Sequence, residues 1–398
     1  MSLEVSKKVS QINPSATLGM VNKIAELKKE GKEIIAFNVG EPDFATPQHI
    51  SAALIAAINE GKTKYVSVSG ILELREAICQ KLKKDNNLEY SPQQIIVSTG
   101  AKQSLYNAVS AITNEGDEII IPTPCWVSYE EMVKVNGAKC VFVPTNETDF
   151  QLDLKAISQA ITAKTKAIII NSPNNPTGAV YSQESLEQLA ALAIQHQFYV
   201  IADEIYEKLV YDGQKPVSIA SLNKAIYEQT ITINGFAKAY AMTGHRLGYA
   251  AMPQSLATII NNLQAHMTSN STTPVQYAGV AALESSQECV SEMANEFDQR
   301  RLLSFDLLDD IPLIKYNKVT GAFYIMIDIS AFIGKQYQDY QINNADDMSL
   351  FLLEYAQIAL VSGKSFQAPN FLRFSYSTSQ DNIKNGLKAM KAALNLLK

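Results

Sequence analysis

Four cysteines in 398 residues, with no Cys-x-x-Cys spacing among them, are too few and too scattered for a disulfide framework or a zinc site. Cys79, Cys125, Cys140 and Cys289 sit in apolar or helical contexts and read as reduced thiols packed inside a cytoplasmic protein; no metal site is expected. No uninterrupted apolar run reaches the roughly 18 residues of a membrane-spanning helix. The start, Met-Ser-Leu-Glu-Val-Ser-Lys-Lys, lacks an apolar stretch and reads as untargeted. Excess positive charge is missing as well: a net charge of -6 leaves no basic stripe for nucleic acid, so any anionic ligand must be gripped locally. Gly-x-Gly-x-x-Gly does not follow the first strand, which argues against a nucleotide-binding dehydrogenase. There is no internal repeat and no low-complexity linker.

What is present is a chain 46% hydrophobic and long enough for more than one domain. From about residue 95 the pattern alternates. Ile95–Val97, Glu118–Pro122, Cys140–Val143, Ala167–Asn171, Phe198–Ala202, Thr230–Asn234 and Gly248–Met252 read as strands. Helices are expected from Ala101, Trp126, Leu154 and Gln183. Apolar β-branched runs alternating with helices imply an α/β protein with a mostly parallel sheet covered on both faces. Before it come an irregular arm, a helix from about Ala16 to Glu30, a strand Ile34–Val39 and a helix capped by Thr46 with Pro47 at its first position. After it, Gly321–Asp328, a helix near Asp346–Gln357, Phe371–Tyr376 and a C-terminal helix read as a smaller α+β domain shared with the N-terminal segment. The expected division is an arm and part of the small domain over 1–49, a large domain over 50–295 and the small domain over 296–398.

Arginine is rare: five of the 34 basic residues, which leaves lysine for solubility and arginine for fixed, bidentate work. The strand Thr230–Ile233 ends at Asn234-Gly235, Lys238 follows on a loop among alanines and aromatics, and a second strand opens near Arg246. A desolvated lysine can be a nucleophile, and the guanidinium suits a phosphate. Together they suggest a phosphorylated aldehyde cofactor, pyridoxal phosphate.

Five chemical segments follow the strands: Ser98-Thr-Gly-Ala-Lys102, Thr123-Pro-Cys-Trp126, Asn171-Ser-Pro-Asn-Asn-Pro-Thr-Gly178, Asp203-Glu-Ile-Tyr206 and the Lys238 loop. In a parallel sheet all lie along the carboxyl edge, where ligands bind. The helix start Gly100-Ala101-Lys102 suits a phosphate. Trp126, the only tryptophan, can stack on a planar ring. Asp203 can pair with a pyridinium nitrogen or merely cap a turn; Tyr206 and Asn175 can hydrogen-bond the ring's phenolate oxygen. Arg373, in an apolar strand, needs either a buried structural acid or a ligand carboxylate.

Asn234-Gly-Phe-Ala-Lys-Ala-Tyr-Ala-Met-Thr-Gly-x-Arg-x-Gly-Tyr249 resembles the cofactor-lysine segment of the class I pyridoxal-phosphate aminotransferases, above all the bacterial aspartate aminotransferase subgroup, and the likeness spans essentially the whole chain. The resemblance implies fold type I, with a seven-stranded large-domain sheet and a homodimer with shared active sites. It implies that Lys238 carries the cofactor and, once freed, moves the Cα proton, with Asp203 and Tyr206 as its catalytic partners. It also implies that Gly40 and Arg373 hold the substrate α-carboxylate, and that Tyr65 reaches the phosphate of the neighbouring subunit. Many relatives read the distal carboxylate with a partner-subunit arginine in the region matching Ser269–Pro274, which holds none here; the likeness to the nearest subgroup implies Lys102 for this work, with Ser15 and Thr17.

The phosphate-binding serines of wider relatives are Gly235 and Ala237 here, which shifts that task to Arg246 and the Gly100 helix start. His245 replaces a tryptophan and is expected to be a packed ring. The expected reaction is ping-pong transfer from L-aspartate to 2-oxoglutarate. Alternatives are aromatic, alanine, kynurenine or prephenate substrates, or a carbon–sulfur β-lyase. Prephenate-using relatives carry a basic residue where this chain has Asn13.

Overall fold

The computed structural model describes residues 3–13, 24, 26, 27, 29–145 and 149–398. Ser15, Thr17 and most of the expected helix Ala16–Glu30 lie outside the described residues.

The first strand, β1 (Ile35–Ala36), is shorter than the Ile34–Val39 expected. Seven strands then build the central sheet: β2 (Ile95–Ser98), β3 (Glu118–Thr123), β4 (Lys139–Pro144), β5 (Thr165–Asn171), β6 (Tyr199–Asp203), β7 (Thr230–Gly235) and β8 (Gly248–Ala251). Their spatial order is β2-β8-β7-β6-β5-β3-β4. All neighbours are parallel except β8, which runs antiparallel to both β7 and β2.

The continuous apolar runs are explained by burial on both faces. Ile119, Ile121, Ile169, Ile201 and Ile231 pack with Leu105 and Leu256 of the helices Ala101–Ile112 and Gln254–Met267. Ile120, Ile168, Ile170 and Val200 pack with Leu186 and Leu189 of the helix Gln183–His196.

The C-terminal part holds β9 (Lys315–Tyr316), β10 (Tyr324–Asp328), a small hairpin of β11 (Gln336–Tyr337) and β12 (Tyr340–Gln341), then β13 (Ile358–Ala359), β14 (Val361–Ser362) and β15 (Phe371–Ser375). An antiparallel sheet of order β14-β15-β10-β9 sets Met326 opposite Arg373. β1 pairs in parallel with β13, Ile35 opposite Ile358, so the N-terminal segment joins the small α+β domain. Phe37, Phe323, Phe374 and Ile383 share one core there. The 22-residue helix Glu288–Asp309 feeds Phe297 and Phe305 into that core and runs unbroken across residues 295 and 296, where a division was expected.

Two local expectations change. The helix Gln48–Asn59 has Pro47, not Thr46, as its N-cap residue. The Thr46 hydroxyl instead donates to the Ala241 carbonyl at 2.8 Å, a tertiary partner that displaces the local cap. Trp126 is itself the N-cap of the helix Val127–Val135. Among the described residues no helix is long and apolar enough to cross a membrane.

Candidate active site

The carboxyl ends of β3, β5, β6 and β7 open into a cleft of about 460 Å³, closed on the far side by the 38–41 segment and by Tyr324, Phe366 and Arg373 of the small domain. Gly40, Gly100, Ala101, Lys102, Trp126, Asn175, Asp203, Tyr206, Lys238, Arg246 and Arg373 all line it. Tyr65 does not: it is 91% exposed on the surface of this chain.

Asp203 ends β6 because Ala202 and Ile201 before it are locked in the ladder with β5 and β7. Its carboxylate is 5% exposed and has neutral donors: the Tyr129 hydroxyl at 2.7 Å on Oδ2 and the Ile205 amide at 3.3 Å on Oδ1. Burial pushes its pKa up to about 6, against those two hydrogen bonds. A cation placed against this carboxylate would relieve that cost. Among the described residues none lies within ion-pair distance.

Lys238 follows Gly235, where a Cβ would come within 3.0 Å of Gly248 Cα and the Leu247 carbonyl, so the glycine lets the loop fold closely over β8. Its ammonium donates to the Gly40 carbonyl at 2.5 Å and lies over the rings of Tyr206 and Phe323 at 5.5 and 5.7 Å. Burial and the nearby Arg373 charge lower its pKa to about 8, with Glu41 and Asp203 pulling the other way. About a tenth of the group is then free amine at pH 7, far more than for an ordinary lysine, and the free amine is the form that nucleophilic and proton-transfer work requires.

Arg373 has no buried structural acid beside it among the described residues. It is 4% exposed, with Nη1 donating to Asn175 Oδ1 at 3.1 Å and Nη2 to the Asn38 carbonyl at 3.0 Å. Its Nε is buried without a partner, and among the described residues no carboxylate pairs with it. A guanidinium held only by neutral groups keeps the capacity to pair with a carboxylate.

The other end of the cleft carries a second set of anion-compatible groups. Gly100, at φ +82, is the N-cap of the helix Ala101–Ile112 and brings no side-chain cap, so first-turn amides face the opening. A Cβ on Gly100 would lie 2.7 Å from Arg246 Nη2, and one on Gly248 would collide with the Ala101 nitrogen. Arg246 stands at φ +54 on the turn before β8, which opens at Gly248 as expected. Its Nη1 donates to the Thr243 carbonyl at 2.8 Å, and no carboxylate neutralises it among the described residues. Lys102 lays its ammonium over the Trp126 ring at 4.8 Å. His245 is half-buried, with Nε2 3.2 Å from the Thr46 hydroxyl.

Three contributors escaped the sequence reading. Tyr129 supports Asp203, Tyr324 shares a 2.9 Å hydroxyl contact with Tyr206 and lies under Arg373 at 4.6 Å, and Asn171 donates to the Asp203 carbonyl at 2.8 Å. Tyr129 and Tyr324 resemble ordinary core aromatics; Asn171 alone had a signal, its place at the end of β5.

A buried carboxylate short of a cation, a reactive amine, an anion-ready helix start with an arginine and an indole face in one cleft fit the pyridine ring, aldehyde and phosphate of pyridoxal phosphate. Comparison with known proteins agrees. The family model described as aminotransferase class I and II matches residues 32–390. A probable aspartate/prephenate aminotransferase of Aquifex aeolicus is 44% identical over 393 residues, 98% of each chain. The aspartate aminotransferase of Bacillus subtilis is 42% identical over 390 residues, again 98% of each. The crystal structure of an aspartate aminotransferase from Rhizobium meliloti, 36% identical, superposes with a TM-score of 0.97 over 100% of both chains. The chain therefore belongs to the class I and II aminotransferases, and is a pyridoxal-phosphate-dependent enzyme of fold type I.

Proposed function

We propose that this aminotransferase passes the amino group of L-aspartate to 2-oxoglutarate in a ping-pong cycle, yielding oxaloacetate and L-glutamate. The observation that carries the reading is Arg373: a buried guanidinium with a free Nε, lining one cleft with Lys238 and Lys102. Two cationic groups in one cleft with an amine of lowered proton affinity suit a substrate with two carboxylates.

Pyridoxal phosphate supplies an electrophilic carbon for the amino group and a cationic ring that accepts the electron pair left when Cα loses its proton. The remaining work belongs to the protein. Arg373 binds the α-carboxylate, helped by Asn175, and Gly40 leaves room for it. Lys238, with its lowered proton affinity, takes the Cα proton and returns it. Asp203 would keep the ring nitrogen protonated, held in place by Tyr129. Tyr206, paired with Tyr324, would hydrogen-bond the ring oxygen, and Trp126 would exclude water from one face. Arg246 and the amides of Gly100, Ala101 and Lys102 would hold the phosphate.

Lys102 is assigned to the distal carboxylate, together with Ser15 and Thr17. Tyr65, exposed here, is assigned to the phosphate of a second copy in a homodimer. The division into 1–49, 50–295 and 296–398 stands as part of the proposal, with the helix Glu288–Asp309 as the link between the last two. Four free cysteines are in keeping with a cytoplasmic setting.

Prephenate is the second reading, favoured by the printed name of the Aquifex aeolicus relative. Against it stands Asn13, whose side-chain amide donates to Glu131 at 3.2 Å where a basic residue would be expected. The test is a donor panel with 2-oxoglutarate, then glutamate with oxaloacetate or prephenate. Aspartate and oxaloacetate should give the highest kcat/KM; a preference for an uncharged donor, or for prephenate, overturns the assignment.

A further inference from the structure

Glu204 follows Asp203 in the chain, yet it does not line the cleft. It turns instead into a second, enclosed polar cluster against the helix Leu72–Asn86. Glu204 is 7% exposed, Glu207 9%, and the side chain of Lys81 8%. Lys81 forms an ion pair with Glu207 Oε1 and donates to Asn86 Oδ1 at 2.6 Å. The Asn86 amide bridges the two acids, at 2.7 Å to Glu207 Oε2 and 3.2 Å to Glu204 Oε2. Glu204 Oε1 lies 2.6 Å from the Ser218 hydroxyl, which can donate to a carboxylate or, turned about its bond, accept from Oε1 when that oxygen carries a proton.

One ammonium therefore serves two buried carboxylates and touches only one of them. The other charges facing the cluster cancel each other: Asp85 pairs with Lys208 at 2.8 Å and with Lys81 at 3.9 Å. Asp203 adds negative charge from the neighbouring position, and the nearby phenols of Tyr90 and Tyr249 bring none that is positive. A buried carboxylate without a cation, beside a second carboxylate, is cheaper as the neutral acid. In agreement, burial and Glu207 push Glu204 up to about 8, whereas at Glu207 the effect of burial is outweighed by Lys81 and Asn86, which hold it below its ordinary value.

We propose that Glu204 is a positioning residue which keeps its proton while the enzyme works, fastening the Asp203–Tyr206 segment to the helix Leu72–Asn86 as a neutral acid, and that losing this proton sets an alkaline limit on the fastening. The link is short. The Glu204 amide donates to the Ile233 carbonyl at 2.9 Å and its carbonyl accepts from the Glu207 amide at 3.0 Å, so a shift of Glu204 moves the backbone between Asp203 and Tyr206. Only the bearing on Asp203 rests on the function proposed above; the protonation does not.

The experiment is thermal unfolding of the full chain from about pH 5.5 to 9.5, comparing wild type with Glu204→Gln and Glu207→Gln. The native state keeps a proton that the unfolded chain releases above its ordinary pKa of 4.5, so this group costs the wild type stability as pH rises towards about 8, with no further change beyond. The Tm of Glu204→Gln relative to wild type should therefore climb by several degrees between about pH 5.5 and 8.5 and then level off. Glu207→Gln, which strips Lys81 of its partner, should lie below wild type throughout. A Glu204→Gln difference that stays constant with pH overturns the proposal. Should that variant fail to fold, infrared spectra of the cofactor-loaded wild type decide: a carboxylic-acid carbonyl band present at pH 7 and lost by pH 9.5 supports it, and no such band at pH 7 overturns it. A failed donor assay would leave this pattern intact, so the two readings fall separately.

Discussion

The Tyr129 hydroxyl donates to Asp203 Oδ2 at 2.7 Å, joining the helix that opens after Trp126 to the carboxyl end of β6. The bond orients the carboxylate without neutralising it. Asp203 consequently keeps a pKa pushed up to about 6 by burial, and in the cofactor-free protein it is a source of instability.

Asp203→Asn should accordingly stabilise the cofactor-free chain. The native pKa is above the ordinary 3.8, so the penalty grows as pH rises through that interval and is complete above about 6. Denaturant unfolding at pH 7.5 should show a gain of about 2–3 kcal/mol, shrinking to nothing below the ordinary aspartate range. Turnover should be lost in the same variant, since an amide cannot hold a pyridinium. Equal unfolding curves at both pH values would contradict the buried, unpaired state of this carboxylate.

Arg373→Lys keeps the charge but loses the planar fork. Asn175 and the Asn38 carbonyl hold the guanidinium edge-on, and a single ammonium cannot satisfy both while binding a carboxylate bidentately. A loss of about 2–4 kcal/mol in transition-state binding, or roughly 30- to 1000-fold in kcat/KM, is expected for every amino donor alike. Steady-state kinetics with two unrelated donors measures it. A loss confined to aspartate would move Arg373 to the distal carboxylate.

Lys102→Ala should separate the two carboxylates of the substrate. The lysine lies at the cleft wall beside Trp126, and under the proposed assignment it should matter far less to an uncharged donor than to aspartate. KM for aspartate should rise about tenfold or more, against less than about threefold for an uncharged amino acid. Parallel rises would show that Lys102 serves the phosphate end instead.

Gly248→Ala tests how the sheet sets the phosphate site. An added methyl would press on the Ala101 nitrogen and displace the start of the helix Ala101–Ile112. Overpacking of this kind costs about 1–3 kcal/mol, and the displaced amides should weaken pyridoxal phosphate binding, read by equilibrium dialysis. Unchanged affinity would mean that the helix start takes little part in holding the phosphate.

Much of this architecture could be read from residue order, because its causes are local. Unbroken β-branched runs such as Ile168–Ile170 mark strands buried on two faces, and the segments that follow them share one edge by the geometry of a parallel sheet. Local cues failed where a distant partner intervened. Thr46 has the chemistry of a helix cap and gives its hydroxyl to the Ala241 carbonyl instead. Tyr129 and Tyr324 carry no mark that distinguishes them from other buried rings, and they join the site only because β6 ends beside one helix and β10 pairs with β15.

The residue order by itself determined the chemical inventory: a lysine on a strand-end loop, an aspartate ending the strand beside it, sparse arginines and a lone tryptophan. Tertiary structure alone decided which of those charges lack partners. Arg373 meets Asn175 across 198 positions of chain, and Glu204 meets Lys81's helix through Asn86 across 118. Burial and pairing are sums over such distant neighbours, and they are what lowers the proton affinity of Lys238, raises that of Asp203 and leaves Arg373 without a carboxylate partner among the described residues.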